Sequence, residues 1–335
     1  MRRVTLADVA RAAGVAKATA SRALSADNPE VGAATRVRIR EIAAELGYQP
    51  SAVAQALSTG RVRLIVLFVP AAEPGWAQVL AGAMAEAERR GYQVLVRPLG
   101  ADAPREQSGL PVDGAVLVGP ARVPAGWDAS RPVVVVDEDL FDAGATVVRT
   151  ANWSAGYQAG RHLIEQQRRS ALVLVPHHRA GGVQARAAGC QAAFAEAGAE
   201  LPSGRVVEAG RDADPGAGLD AALGRGVRPD GVFACTDETA VAALGSLGRA
   251  GLRVPGDVAL VCFGDESLAG QAGPSLAVIP RPAAELGARA VQLLVRAIEG
   301  AAEPAEVHEL PVRLVPGAPH DRPQPAAGGS VSARP

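Results

Sequence analysis

The chain has 335 residues, 48% of them apolar, with 34 basic and 35 acidic side chains and a net charge of −1. That length exceeds one small domain, and the apolar fraction allows a large core. No run approaches the length of a membrane span and the N-terminus lacks the apolar core of a secretory signal, so the sequence predicts a cytoplasmic protein that does not engage the membrane.

Thr5 is placed to cap a first helix, with Asp8 three residues on at capping-box spacing, and Leu6, Val9, Ala10 and Ala13 form an apolar stripe. Gly14 permits a tight turn, Val15 points inward, and a second helix of about eight residues starts near Ala16 or Lys17. Two short helices joined in this way are a helix-turn-helix, and the second has the length to lie in a DNA major groove. Charge agrees: residues 1–63 hold ten basic side chains against five acidic ones, a balance of +5 on a remainder of −6. A basic head on an acidic body suits a protein that sets one end on phosphate and keeps the other off it.

Farther on, Pro50-Ser51-Ala52-Val53-Ala54-Gln55-Ala56-Leu57 has proline at a helix start and small residues along one face, before Ser58-Thr59-Gly60. Such a segment is too short to hold a helix alone in water. A plain linker explains the glycine but not the helix start or the apolar face.

After Arg63 short β-branched runs alternate with helical stretches. Residues 64–69, 94–97, 115–118, 133–136, 171–175, 231–235 and 258–263 are strand-like, and 77–90, 154–166, 184–197, 237–250 and 283–299 have helical periodicity. That alternation predicts parallel sheets with crossover helices. The tail after Pro316 is rich in Pro, Gly, Ala and Ser and is expected to be disordered.

Cys190, Cys235 and Cys262 are widely spaced in apolar surroundings and read as reduced, buried thiols. His177-His178 invites a metal, but adjacent histidines in a strand-to-helix loop more often face solvent or a ligand cleft. No phosphate loop, dinucleotide fingerprint, nucleophile elbow or zinc-protease motif is present, so the chain reads as a non-enzyme without a cofactor. Asp137-Glu138-Asp139 reads as a cleft-edge loop or a solvated turn rather than a catalytic pair.

Three segments carry a resemblance. VTLADVARAAGVAKATASRAL, ATRVRIREIAAELGYQPSAVAQAL and RLIVLFVP resemble the lactose-repressor/galactose-repressor (LacI/GalR) family of bacterial regulators, from about Val4 to about Val315. The resemblance implies an all-α, three-helix headpiece built on the helix-turn-helix (1–49), a hinge helix and linker (50–62), and a two-lobed α/β effector domain resembling periplasmic sugar-binding proteins (63–315). It also implies near-palindromic operator DNA, a small-molecule effector of carbohydrate type, and a homodimer or tetramer.

The implied DNA contacts are Thr5, Lys17, Ala18, Thr19, Ser21, Arg22, Tyr48, Ala54 and Leu57. Arg22 and Lys17 suit guanine, Ala18 and Ala20 offer only methyls, and the hydroxyls of Thr19, Ser21 and Tyr48 suit phosphate. Leu57 is the implied wedge into the minor groove. Ala16 and Gly32 depart from the serines common at those positions, which leaves Arg36 and Arg38 as candidate replacements.

The resemblance makes Asn152 and Arg186 the effector contacts and puts Thr236 and Asp265 at cleft positions, while Trp76, Trp153 and Phe263, near predicted cleft loops, offer apolar faces on which a sugar or nucleoside can stack. Two departures stand out. Thr236-Asp237 replaces a usual Asn-Asp pair, and Cys262-Phe263-Gly264-Asp265 replaces Gly-Phe-Asp-Asp, so a carboxylate that often grips sugar is glycine. The stretch 100–112 is shorter than usual. Two alternatives stay open: a regulator whose cleft answers to no small molecule, and a sugar-binding or enzymatic α/β protein with an incidental basic head.

Overall fold

A computed structural model describes residues 4–24, 31–48, 61–70, 76–99, 111–119, 127–137, 145–177, 181–199, 201, 203–210, 215–265, 276–301 and 304–317. The chain divides into two units, Met1–Arg63 and Leu64–Pro335. Pro50–Gly60, with Ala54 and Leu57, lies outside the described residues, as do Glu138, Asp139, His178 and the tail beyond Gly317.

Within the first unit, Thr5 is the N-cap of α1 (Leu6–Ala12), and the capping box with Asp8 is closed in both directions, Thr5 N donating to Asp8 Oδ2 at 3.0 Å. Gly14 adopts φ +64° in the turn, where a side chain would be strained, and α2 (Lys17–Leu24) follows. A third helix, α3 (Ala33–Glu45), completes a core of Val9, Ala10, Ala13, Ala20, Ala23, Val31, Ile39 and Ala43, with Val15, Leu6 and Tyr48 packed on it. Arg38 on α3 donates to the Ala13 carbonyl at the turn, tying the helices together.

The second unit holds two all-parallel sheets. Strands β1 (Leu64–Pro70), β2 (Gln93–Leu99), β3 (Gly114–Val118), β4 (Val133–Val136), β5 (Thr146–Thr150) and β11 (Val307–Leu310) form the first, in the order β11-β5-β4-β3-β1-β2. The second contains β6 (Ala171–Val175), β7 (Val206–Glu208), β8 (Gly231–Ala234), β9 (Ala259–Gly264) and β10 (Ala277–Pro280), in the order β10-β9-β8-β6-β7. The apolar runs of β3, β6, β8 and β9 are buried throughout, as strands covered on both faces must be. Pro98 and Pro280 fall on edge strands, where a missing N–H costs no ladder bond.

Helices α4 (Ala77–Arg89) and α9 (Ala283–Ile298) cover one face of the first sheet. Trp127 lies on the other face, edge-on to Phe68 and donating from its indole to Arg131 O at 3.2 Å. Around the second sheet lie α5 (Asn152–Glu165) and α6 (Gly181–Glu196) on one side and α7 (Ala217–Gly224) and α8 (Asp237–Arg249) on the other. The pair α5/α6 is in backbone contact: a Cβ on Gly156 would sit 1.8 Å from Arg186 O, and one on Gly189 would sit 2.0 Å from Trp153 O. That crossing fixes where Arg186 leaves its helix.

The chain passes between lobes after β5, after β10 and after β11. The third headpiece helix implied by the resemblance is α3, whereas strands β5, β7, β10 and β11 and helix α7 were not among the predicted elements.

Candidate DNA interface and ligand cleft

On α2, Lys17, Ala18, Ser21 and Arg22 are exposed while Ala20 and Ala23 are fully buried. Positions i, i+1, i+4 and i+5 of one helix share a face, so these four side chains form one outward surface of two cations, a hydroxyl and a methyl. Thr19 is half-buried beside it and Thr5 stands exposed at the head of α1. One expectation is corrected: Ala20 offers no methyl to a base, because it packs in the three-helix core. Tyr48 also rests on that core, its N–H donating to Ala43 O at 2.8 Å. Arg36 is half-buried with Nη2 on Val31 O at 3.1 Å, and Arg38 is engaged with Ala13, so both have structural partners.

In the second unit, Arg186, Asn152 and Phe263 converge from α6, α5 and β9. The Arg186 guanidinium lies over the Phe263 ring, 4.1 Å from its centroid, and Nη1 donates to Asn152 Oδ1. Arg186 is only 8% exposed and its Nε is buried with no acceptor. Burial disfavours the charged form, which pushes the guanidinium below its ordinary value. A buried cation held by a neutral amide and an aromatic face, with a donor unsatisfied, is suited to take an oxygen-rich ligand.

Asp137, directly after β4 with φ +66°, is a carboxylate whose charge acts on Arg186. It is already engaged: Arg281 Nε donates to its Oδ2 at 2.8 Å, and Thr150 Oγ1 to its Oδ1 at 3.2 Å. On the second lobe, the Asp237 Oδ1 accepts the Asp265 N–H at 2.9 Å, and burial raises the Asp237 carboxyl above its ordinary value. The Asp265 carboxylate accepts from Gln78 on α4, which links the lobes directly.

Three expected effector residues are placed differently from these. Thr236 is the N-cap of α8, its hydroxyl accepting Thr239 N–H at 3.2 Å and donating to Thr239 Oγ1 at 3.1 Å. Trp153 is half-exposed and stacked on Tyr157, with centroids 5.2 Å apart, on the solvent side of α5. Trp76 packs against the core of the first lobe, at the start of α4. Sequence reasoning missed Arg281 and Gln78, since a lone arginine between two prolines and a glutamine at a helix start carry no periodic signal. His177 pairs with Glu208. All three cysteines are free and buried, and burial raises the Cys235 thiol to about 12.

Residues 5–51 match the family model for bacterial regulatory proteins, lacI family, and residues 161–318 match that for the periplasmic binding protein-like domain. The chain is 32% identical to the ribose operon repressor of Haemophilus influenzae, over 88% of this chain and 92% of the relative. It is 32% identical to the HTH-type transcriptional regulator CelR of Thermobifida fusca, over 94% and 96%. Among solved structures, a transcriptional regulator CelR–cellobiose complex aligns with TM-score 0.68 at 28% identity, covering 93% of this chain and 98% of that one. A lac repressor dimer bound to operator aligns with TM-score 0.75 at 24% identity, covering 94% and 98%, which speaks for the fold alone.

Proposed function

The chain belongs to the LacI family of bacterial regulatory proteins, and from that premise we propose that it is a homodimeric repressor whose grip on a near-palindromic operator is set by a carbohydrate bound between the lobes of its second unit. It is a DNA-binding transcriptional regulator with a small-molecule effector; the carbohydrate and the residues that hold each partner are the proposal. The observation that carries the effector assignment is the Arg186 cluster, a buried guanidinium on an aromatic ring with an unsatisfied donor.

In this reading residues 1–49 hold DNA, 50–62 form the hinge, and 63–315 bind the effector and a second copy. Lys17, Ala18, Ser21 and Arg22 meet base edges and adjoining phosphates, with Thr5, Thr19 and Tyr48 beside them as positioning groups. Ala54 and Leu57 act in the hinge. Arg186 and Asn152 supply the polar contacts to the sugar, with the Phe263 ring beneath the guanidinium.

The relatives' printed names include a ribose operon repressor and a CelR–cellobiose complex, so ribose and cellobiose are the first probes. Affinity selection of the full chain on a random duplex pool tests the DNA half of the proposal. A single near-palindromic consensus is expected, since two heads on a two-fold axis read two half-sites. Recovery of a non-symmetric site, or of no consensus, overturns the homodimeric operator reading.

A further inference from the structure

Beyond the Arg186 cluster, the second lobe carries the carboxylates of Asp237 and Asp265 at the end of β9. A Cβ built on Gly264 would lie 2.0 Å from Asp237 Oδ1, 2.3 Å from its Cγ and 2.4 Å from its Oδ2. The Asp237 carboxylate therefore fills the volume that any side chain at 264 would need, and position 264 directly follows the Phe263 ring under Arg186. We propose that Asp237, reaching from the start of α8 into the place of a side chain at 264, is the carboxylate with which the second lobe grips a neutral carbohydrate. This rests on the reading of the cleft as a carbohydrate site.

The bonding around the carboxylate supports that role. Oδ1 is used by the Asp265 N–H at 2.9 Å and faces the Cys262 thiol at 3.9 Å, whereas Oδ2 accepts no hydrogen bond among the described residues. Asp265, the other carboxylate at this edge, is occupied from across the lobes by Gln78. Among the described residues Asp237 thus keeps one acceptor oxygen open at the C-terminal end of β9, the strand whose Phe263 ring carries the donor-rich, nine-tenths-buried Arg186. An open acceptor oxygen and a donor-rich cation at one strand end suit vicinal hydroxyls, each of which both donates and accepts. Two carboxylates at this end repel an anionic ligand, which points to a neutral sugar rather than a sugar phosphate or acid.

The test is calorimetric titration of the full chain with D-ribose and with cellobiose, using wild type, Asp237→Asn and Asp265→Asn. Asp237→Asn keeps the acceptor for the Asp265 N–H but loses the charge. It is expected to weaken binding of the sugar that wild type takes by roughly 10- to 100-fold, the effect of losing a hydrogen bond to a charged group. Asp265→Asn is expected to change it by less than about 3-fold, because Asp265 acts across the lobes rather than on the sugar.

Moving the carboxylate gives a second arm. Asp237→Ser clears the space, and adding Gly264→Asp returns a carboxylate to it, so the double variant is expected to bind more tightly than Asp237→Ser alone. Unchanged sugar affinity in Asp237→Asn, or a larger loss in Asp265→Asn, overturns the inference and leaves the carbohydrate reading standing. Failure of both sugars and of xylose, glucose and galactose to bind wild type overturns the carbohydrate reading, and this inference with it.

Discussion

Arg281 and Asp137 form an ion pair at the waist of the two-lobed unit, with Arg281 Nε 2.8 Å from Asp137 Oδ2. Arg281 lies in the segment that crosses from β10 to α9, and Asp137 also accepts from the N–H and hydroxyl of Thr150, one residue before the crossing from β5 to α5. One carboxylate therefore holds two of the three crossings, and both partners are about one-fifth exposed.

Removing that charge should loosen the waist. Asp137→Asn is expected to destabilise the chain by about 1–3 kcal/mol, since it leaves the Arg281 guanidinium without its counter-charge in a partly buried setting. Urea unfolding of Asp137→Asn, Arg281→Gln and the double variant measures the coupling. A double-variant loss smaller than the sum of the singles is expected, and strict additivity would mean that the pair does not interact.

Arg22 is exposed on the same face of α2 as Lys17, Ala18 and Ser21. Arg22→Ala is expected to weaken binding to the selected operator by about 1–3 kcal/mol and to relax preference at one base pair per half-site. Fluorescence anisotropy on operator and on random duplex separates the roles. Equal losses on both duplexes would make Arg22 a phosphate contact.

Asp237 gives a pH signature. Its carboxyl is raised by burial, with Asp265, Cys262 and Arg281 as the titratable or charged groups acting on it. A folded-state value above the unfolded one means that the folded chain holds the proton more tightly. Stability is therefore fullest below the unfolded value and declines as pH rises through the folded one. Asp237→Asn removes the charged form, so the ligand-free variant is expected to melt above wild type at pH 7, with the gain shrinking on acidification. A lower Tm than wild type at pH 7 would make the carboxylate a structural group.

Burial also protects the thiols. Cys190, Cys235 and Cys262 are free, and their pKa values are raised, so little thiolate exists at neutral pH. Iodoacetamide at pH 8 is expected to leave the native chain unlabelled over a time in which three thiols react in urea. Rapid labelling of the native chain would contradict this burial.

Much of the architecture was legible in the sequence because local chemistry and tertiary structure agree. Thr5, Asp8 and Gly14 announce a capped helix and its turn, and the structure closes both. Runs such as Leu64–Pro70 and Ala171–Val175 are continuous apolar strands and could be read directly. The missed strands lack that signal: β7 has three residues, β11 sets His308 and Glu309 side by side between Val307 and Leu310 at an edge, β10 ends in Pro280, and β5 carries Arg149 paired to Glu309.

The cleft was legible in part. Arg186, Asn152 and Phe263, expected from the sequence, are brought together from three elements. The ion pair of Asp137 with Arg281, the lobe contact of Gln78 with Asp265 and the fit of Asp237 against Gly264 span up to 187 residues of sequence. No spacing rule reaches that far, so only the fold reveals them.

A carbohydrate at Arg186 is expected to control the hold on DNA. The most direct measurement titrates wild type and Arg186→Ala, each on labelled operator, with the sugar that raises the wild-type Tm. Wild-type operator affinity is expected to change by roughly 5- to 150-fold, and Arg186→Ala to bind operator without responding. A wild type indifferent to the sugar it binds, or an Arg186→Ala variant with the same dose curve, would contradict the account.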